Sequence, residues 1–119
     1  MRSVKALTGN AAAAYGVRLC RPEVIPNYPI TPQTIIIEQI ADFINDGELD
    51  ADFIPADSEH SAMSIAIGAA ATGVRTFTAT ASHGLALMHE MLYVPPQVRL
   101  PILLVNVNRS LGAGSGIWV

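Results

Sequence analysis

The 119 residues carry a net charge of −3, half are hydrophobic and 14% are charged, so the chain is a folded domain rather than a disordered one. The length fits one domain at most, and the apolar stretches are broken by Pro, Gly or charge before they reach a membrane span. No run of Lys or Arg is present, so neither nucleic acid nor a membrane is expected as a partner.

The opening MRSVKALTGN lacks the apolar run of a signal peptide, and a cytoplasmic location is expected. Residues 8–20, TGNAAAAYGVRLC, favour helix, with Thr8 and Asn10 as candidate caps. The single cysteine, Cys20, makes no internal disulfide and no Cys-x-x-Cys site. EVIPNYP then reads as a short buried strand. In the YPITP that follows, Pro29 cannot donate a backbone hydrogen bond and Pro32 pushes Thr31 out of the helical region. Thr31 therefore suits an N-cap, with Pro32 at the first position of a helix carrying Ile36, Ile37, Ile40, Ala41 and Ile44 at helical spacing. NDGELD ends that helix and ADFIPAD is a second strand.

Ser58 opens an alanine-rich helix, EHSAMSIAIGAAATG, which Gly73 closes. VRTFTATA is a third strand. HGLALMHEMLYV forms a helix after Ser82 that Pro95-Pro96 stops. LPILLVNV is so continuously apolar that a fourth strand buried on both faces is expected. After it, SLGAGSGIWV is a linker-like Gly/Ser stretch ending beside Trp118. A buried sheet rarely stops at its fourth strand with an uncovered edge, so the chain reads as a piece of something longer or as leaning on a partner.

Strands alternating with helices predict an α/β fold with a parallel sheet and flanking helices, in which ligands bind beyond the carboxyl ends of the strands. YPIT, ADSEH, TASHG and NVNRS fall there, bringing Thr31, Asp57, Glu59, His60, Ser82, His83, Asn106, Asn108 and Arg109. Each has a plainer reading beside the functional one. Glu59 opens a helix, where the dipole stabilises an anion by about 0.3–1 kcal/mol; as a site residue it would hydrogen-bond a ligand nitrogen. The small side chains that follow it serve either packing or close approach to a ligand. Thr31 is a helix cap, a ligand-binding hydroxyl, or both. Arg109 is a solvated arginine or a fork for a carboxylate. Of the histidines, His60, His83 and His89, the last two lie six apart and do not share a helix face, so no metal site is expected. No G-x-G-x-x-G or G-x-x-x-x-G-K-[ST] loop is present, so any ligand phosphates are held elsewhere.

As a set, GNAAAAYGVRL, VIPNYPITPQT, DSEHSAMSIAIGAAATGVRTFTATASHGLALMHEML and LPILLVNVNRSLGA resemble the start of the alpha subunits of pyruvate:ferredoxin oxidoreductases, within the 2-oxoacid:ferredoxin oxidoreductase family. The resemblance runs from about residue 5 to 113, and the SEHSAM and TFTATASHGLALMHEML segments are its most specific part. It implies a thiamine diphosphate-binding, pyrimidine-domain-like fold over residues 1–113, incomplete by itself, with 114–119 a linker-like tail or truncation.

The resemblance further implies that Glu59 is both catalytic and cofactor-binding, hydrogen-bonding the aminopyrimidine ring so that the thiazolium carbon loses its proton. Thr31 and Arg109 would bind the substrate carboxylate. The implied reaction is CoA-dependent oxidative decarboxylation of pyruvate to acetyl-CoA, carbon dioxide and reduced ferredoxin. A branched-chain 2-oxoacid enzyme and a truncated, non-catalytic assembly module are the alternatives. Thiamine diphosphate would be shared with a partner subunit, with magnesium and iron–sulfur clusters on other subunits. The implied partners are those subunits, ferredoxin, the 2-oxoacid and CoA, and the chain alone should be inactive. Two departures stand out: Ala11-Ala12 where relatives often carry an acidic residue, and GAGSGIWV at the end.

Overall fold

The computed structural model describes residues 4–112. In chain order the elements are α1 (Gly9–Cys20), β1 (Val24–Asn27), α2 (Thr34–Asn45), β2 (Asp52–Pro55), α3 (Glu59–Ala71), β3 (Thr76–Thr80), α4 (Ser82–Leu87), a 3-10 turn (His89–Tyr93), α5 (Val94–Gln97) and β4 (Ile102–Asn106). The strands form a four-stranded parallel sheet in the order β2-β1-β3-β4.

Helices cover both faces. Ala14 and Val17 of α1 and Ile36, Ile40 and Phe43 of α2 are buried together with Ile25 and Phe77 of the sheet. On the other face Met63, Ala66 and Met88 pack with Ile102 and Leu104. Each fully buried Ile or Phe in such a core contributes about 1.5–3 kcal/mol. The alanines of α3 serve packing, since Ala62, Ala66 and Ala70 are buried at helical spacing along the helix that contacts β1 and β3.

Local chemistry explains most boundaries. Thr8 caps α1, its hydroxyl accepting from Ala11 N at 3.2 Å. Ser58 caps α3, accepting from Ser61 N at 3.1 Å, and Gly73 follows that helix at φ 94°, a conformation that costs a glycine little. Asn10 does not cap; its Nδ2 donates to Pro32 O at 3.0 Å.

Three expectations need correction. Thr31 is not an N-cap and Pro32 is not in the helix: residues 31–33 form a turn, Gln33 N donates to Ile30 O at 3.0 Å, and α2 starts at Thr34. The fully buried Gln33 side chain holds that turn against the end of β1, delaying the helix. The segment after Ser82 is not one helix ended by Pro95-Pro96. It breaks at Met88 into the 3-10 turn, and the prolines occupy the first turn of α5, where a missing N–H costs nothing. Finally, β4 is not buried on both faces. Leu103 is 46% exposed, because β4 is an edge strand, whereas all residues of β3 in the sheet interior are buried. The linker-like reading of residues 114–119 lies outside the described residues.

Candidate functional site

Both neighbours of β1 meet it differently, and this shapes the site. Glu23 O and Asn27 O accept from Asp52 N and Ala56 N on the β2 side, so the alternate residues, Val24 and Pro26, face β3. Pro26 has no N–H to offer there. The recorded register between β1 and β3 is accordingly Val24 opposite Thr76, while β3 and β4 pair from Thr76↔Ile102 to Thr80↔Asn106. At the carboxyl end a side chain takes over. With its amide oriented to satisfy both ends, Asn27 donates to Ala79 O at 3.0 Å and accepts from Tyr28 N at 3.3 Å. The chain runs left from β1 to β2 and right from β2 to β3, so the β1–β3 junction is the topological switch point, the place where open α/β sheets bind ligands.

The sequence-predicted residues collect at that end. Thr31 lies in the exposed turn after β1, its backbone held by Gln33 Nε2 donating to Tyr28 O at 3.0 Å and by the Asn10 bond to Pro32 O. Glu59 opens α3 and is only 7% exposed. Although β2 is an outer strand, α3 crosses beneath β1 to reach β3, and this carries Glu59 to the first turn of α4. There it meets Gly84: a Cβ on that residue would sit 2.7 Å from Glu59 Cγ and 2.8 Å from Oε1, and would collide with Thr80 Oγ1. Among the described residues, no donor hydrogen-bonds to the Glu59 carboxylate.

Arg109 follows β4 and is half-buried. Its N donates to Ser82 Oγ at 2.8 Å, and its Nε is buried without a partner among the described residues. Asn106, Asn108 and Ser82 form one network with it, through Asn106 Nδ2 to Asn108 Oδ1 at 2.6 Å and Ser82 Oγ to Asn108 Oδ1 at 3.0 Å. Glu59 and Arg109 are thus held to the same turn of α4, one through Gly84 and the other through Ser82.

The remaining candidates do not join them. Asp57 is exposed and the His60 ring makes no hydrogen bond among the described residues, while His83 Nε2 accepts from Gly112 N at 3.3 Å and His89 pairs with Tyr93 at 3.2 Å. Among the described residues no group of three or more His, Cys, Asp or Glu is arranged to hold a metal ion, and no helix is long and apolar enough to cross a membrane. Two cavities, of about 390 and 360 Å³, both touch Pro101 and Ile102 at the start of β4, the end of the sheet opposite Arg109. They are apolar grooves beside the edge strand and lack the polar groups gathered at the carboxyl end. Sequence reasoning missed Gly84 and Gln33. A glycine in the first turn of a helix and a glutamine beside two prolines were the signals for them.

Residues 15–118 match the family model described as pyruvate flavodoxin/ferredoxin oxidoreductase, thiamine diP-binding. The chain belongs to this family. It is 58% identical over 118 residues to pyruvate synthase subunit PorA of Methanocaldococcus jannaschii, covering 99% of this chain and 30% of that one. It is 56% identical over 114 residues to ketoisovalerate oxidoreductase subunit VorA of Pyrococcus furiosus, covering 96% of this chain and 29% of the relative. Among solved structures, the 2-oxoglutarate:ferredoxin oxidoreductase of Magnetococcus marinus, with 2-oxoglutarate, coenzyme A and succinyl-CoA bound, superposes with a TM-score of 0.83 at 32% identity. That match covers 92% of this chain and 19% of the other. The chain therefore spans under a third of the length of these relatives. Its parallel sheet with flanking helices is the thiamine diphosphate-binding fold of the family.

The residues present fit that cofactor on structural grounds as well. Glu59 is a mostly buried residue whose carboxylate takes no hydrogen bond among the described residues and lies against Gly84, an acceptor suited to a flat heterocycle bearing N–H groups.

Proposed function

We propose that this chain supplies the aminopyrimidine side and the substrate-carboxylate side of an active site that oxidatively decarboxylates pyruvate. The acetyl group would pass to CoA and the electrons to ferredoxin. The observation that carries the reading is Glu59 itself, 7% exposed at the start of α3 and set against Gly84, with no hydrogen bond to its carboxylate among the described residues. A carboxylate on a mostly buried residue that is still open to a ligand can accept a hydrogen bond from a ring nitrogen of the cofactor, and its charge strengthens that bond.

Thiamine diphosphate supplies the electron sink that lets a 2-oxoacid lose carbon dioxide. The chain's own residues do the rest of the work on this side. Glu59 accepts a hydrogen bond from the aminopyrimidine and holds or releases the proton there as the ring changes tautomer, a role typically worth about 10²–10⁴-fold. Arg109 offers its guanidinium to the substrate carboxylate, its Nε buried with no hydrogen bond among the described residues. Thr31, exposed on its tethered turn across the switch point, gives the carboxylate a hydroxyl donor.

The diphosphate, its magnesium and the iron–sulfur clusters would reside outside this chain. One exposed cysteine cannot hold a cluster, and the described residues gather no metal ligands. The working enzyme is then an assembly with further oxidoreductase subunits or domains, placed in the cytoplasm with ferredoxin and CoA.

A second reading has an observation behind it. Relatives that act in ketoisovalerate oxidation are nearly as similar as those of pyruvate synthase. One or two extra methylenes change specificity by only about 1–3 kcal/mol, and residues outside this chain can supply that. The test recovers the tagged chain from native extract with whatever co-purifies, then follows CoA-dependent viologen reduction. Turnover with pyruvate supports the first reading, and turnover with 2-oxoisovalerate alone moves the assignment to the branched-chain enzyme. Assembly with subunits but no turnover on either, or on 2-oxoglutarate, leaves a non-catalytic module.

A further inference from the structure

We propose that Ser82 is a positioning residue whose hydroxyl fixes the backbone of Arg109 and so sets the direction in which its guanidinium meets the substrate carboxylate. The proposal rests on the reading of Arg109 given above and adds a residue to it.

Ser82 begins α4 and is 6% exposed, yet its hydroxyl caps nothing on its own helix. It turns instead to a segment far along the chain. Its Oγ accepts from Arg109 N at 2.8 Å and lies within hydrogen-bond reach of both Arg109 O and Asn108 Oδ1. A hydroxyl has one proton and two lone pairs, so it accepts the one bond and donates to either of the two oxygens. The N–H of Arg109 is therefore held by Ser82 Oγ, and the hydroxyl proton goes either to the C=O of Arg109 or to Asn108 Oδ1 beside it. This leaves the Cα–Cβ direction of Arg109 little freedom. Asn106 Nδ2 braces the same loop through Asn108, and Val107 N donates to Thr80 O at 2.9 Å, extending the β3–β4 pairing up to it.

The loop is well tied, but the head group is not. Arg109 Nε is buried and has no hydrogen-bond partner among the described residues, and a buried unsatisfied donor is costly. Fixing the backbone while leaving the guanidinium open is what a ligand-binding arginine needs, because the ordering is done before the ligand arrives. A purely structural serine would have served as well with the arginine's donors satisfied internally. Because Gly84, two residues on, backs Glu59, the first turn of α4 also keeps the carboxylate and the guanidinium in one frame.

The test is a double-mutant cycle in the oxidoreductase assembled around this chain, with Ser82→Ala, Arg109→Ala and the pair. It reads pyruvate-dependent viologen reduction, and thiamine diphosphate binding by calorimetry. Ser82→Ala should raise the KM for pyruvate about tenfold, a change equal to about 1.4 kcal/mol. It should leave kcat within the same decade and cofactor affinity unchanged. In the Arg109→Ala background the serine substitution should add nothing further. An unchanged KM, or equal effects in both backgrounds, overturns the positioning role. An Arg109→Ala variant with an unchanged KM sinks the carboxylate reading itself, and the proposal with it. Should Ser82→Ala not assemble, hydrogen exchange on the wild-type complex decides: the Arg109 amide should exchange at least tenfold slower than an unstructured amide, and free exchange overturns the proposal.

Discussion

Glu59 and Gly84 lie so close that a single methyl group cannot be placed between them. A Cβ on Gly84 would come within 2.7 Å of Glu59 Cγ and 2.8 Å of Oε1. Two helices that arrive from different strands thus converge on one carboxylate, and the missing side chain at Gly84 is the space it occupies. The φ of Gly84 is unremarkable; the glycine is needed for the close approach alone.

Gly84→Ala is therefore expected to push the Glu59 side chain out of place, because the new methyl group would meet both Thr80 Oγ1 and the Glu59 side chain. Overpacking of this kind costs about 1–3 kcal/mol in stability. Calorimetry of the assembled enzyme should show thiamine diphosphate binding weakened about tenfold or more. Unchanged cofactor affinity would mean that Glu59 is not where the cofactor binds.

Glu59→Gln keeps the shape and removes the charge. The first residue of α3 tolerates an amide, since Ser58 still caps the helix, so the melting temperature should move little. Turnover of the assembled enzyme is expected to fall about 10²–10⁴-fold. Steady-state viologen reduction settles it: a variant with wild-type kcat would remove Glu59 from the proton-handling role.

Much of this was legible in the sequence because the rules involved are local. Alternating strand and helix signals gave a parallel sheet, Ser58 and Thr8 were readable as caps, and the four polar junctions fell at one sheet edge because every strand runs the same way. What was not legible depended on contacts between distant segments. Nothing near YPITP shows that Gln33 is buried and ties its turn to Tyr28 O, so the helix was expected to begin two residues early. Likewise the pairing of Ser82 with Arg109 spans 27 residues and has no periodic signature. The continuous apolar run of β4 marks a strand meant to be covered on both faces, and Leu103 at 46% exposure shows one face open in this length of chain.

Tyr15 supplies a pH-dependent signal away from the site. Its hydroxyl accepts a hydrogen bond from Lys5 Nζ at 3.0 Å, and that bond, together with the Lys5 charge, lowers the phenol's pKa below its ordinary 10.0. A folded-state value lower than the unfolded one means the ionised form is favoured by folding. The stabilisation is then fully present above pH 10.0 and is lost as pH falls through the lower folded value. Ultraviolet titration of wild type minus Tyr15→Phe should report a midpoint below 10, shifted upward by Lys5→Met; coincident curves would show that the pair does not form in solution.

Gln33 is the most informative residue to change on the Thr31 side. It is wholly buried, and its amide nitrogen donates to Tyr28 O at 3.0 Å. Replacing it with Ala leaves a small cavity and strips a carbonyl of its partner, which together cost about 2–4 kcal/mol. Because Asn10 still holds Pro32 O, the loosening should be confined to residues 28–34 rather than spread through α1. Hydrogen exchange should speed up in that segment and stay slow in β3, whose residues are all buried. If Thr31 binds the substrate carboxylate and Glu59 the cofactor, the KM for pyruvate should rise while thiamine diphosphate affinity holds. A loosened turn with an unchanged KM would take Thr31 out of substrate binding and leave it a plain residue of the turn.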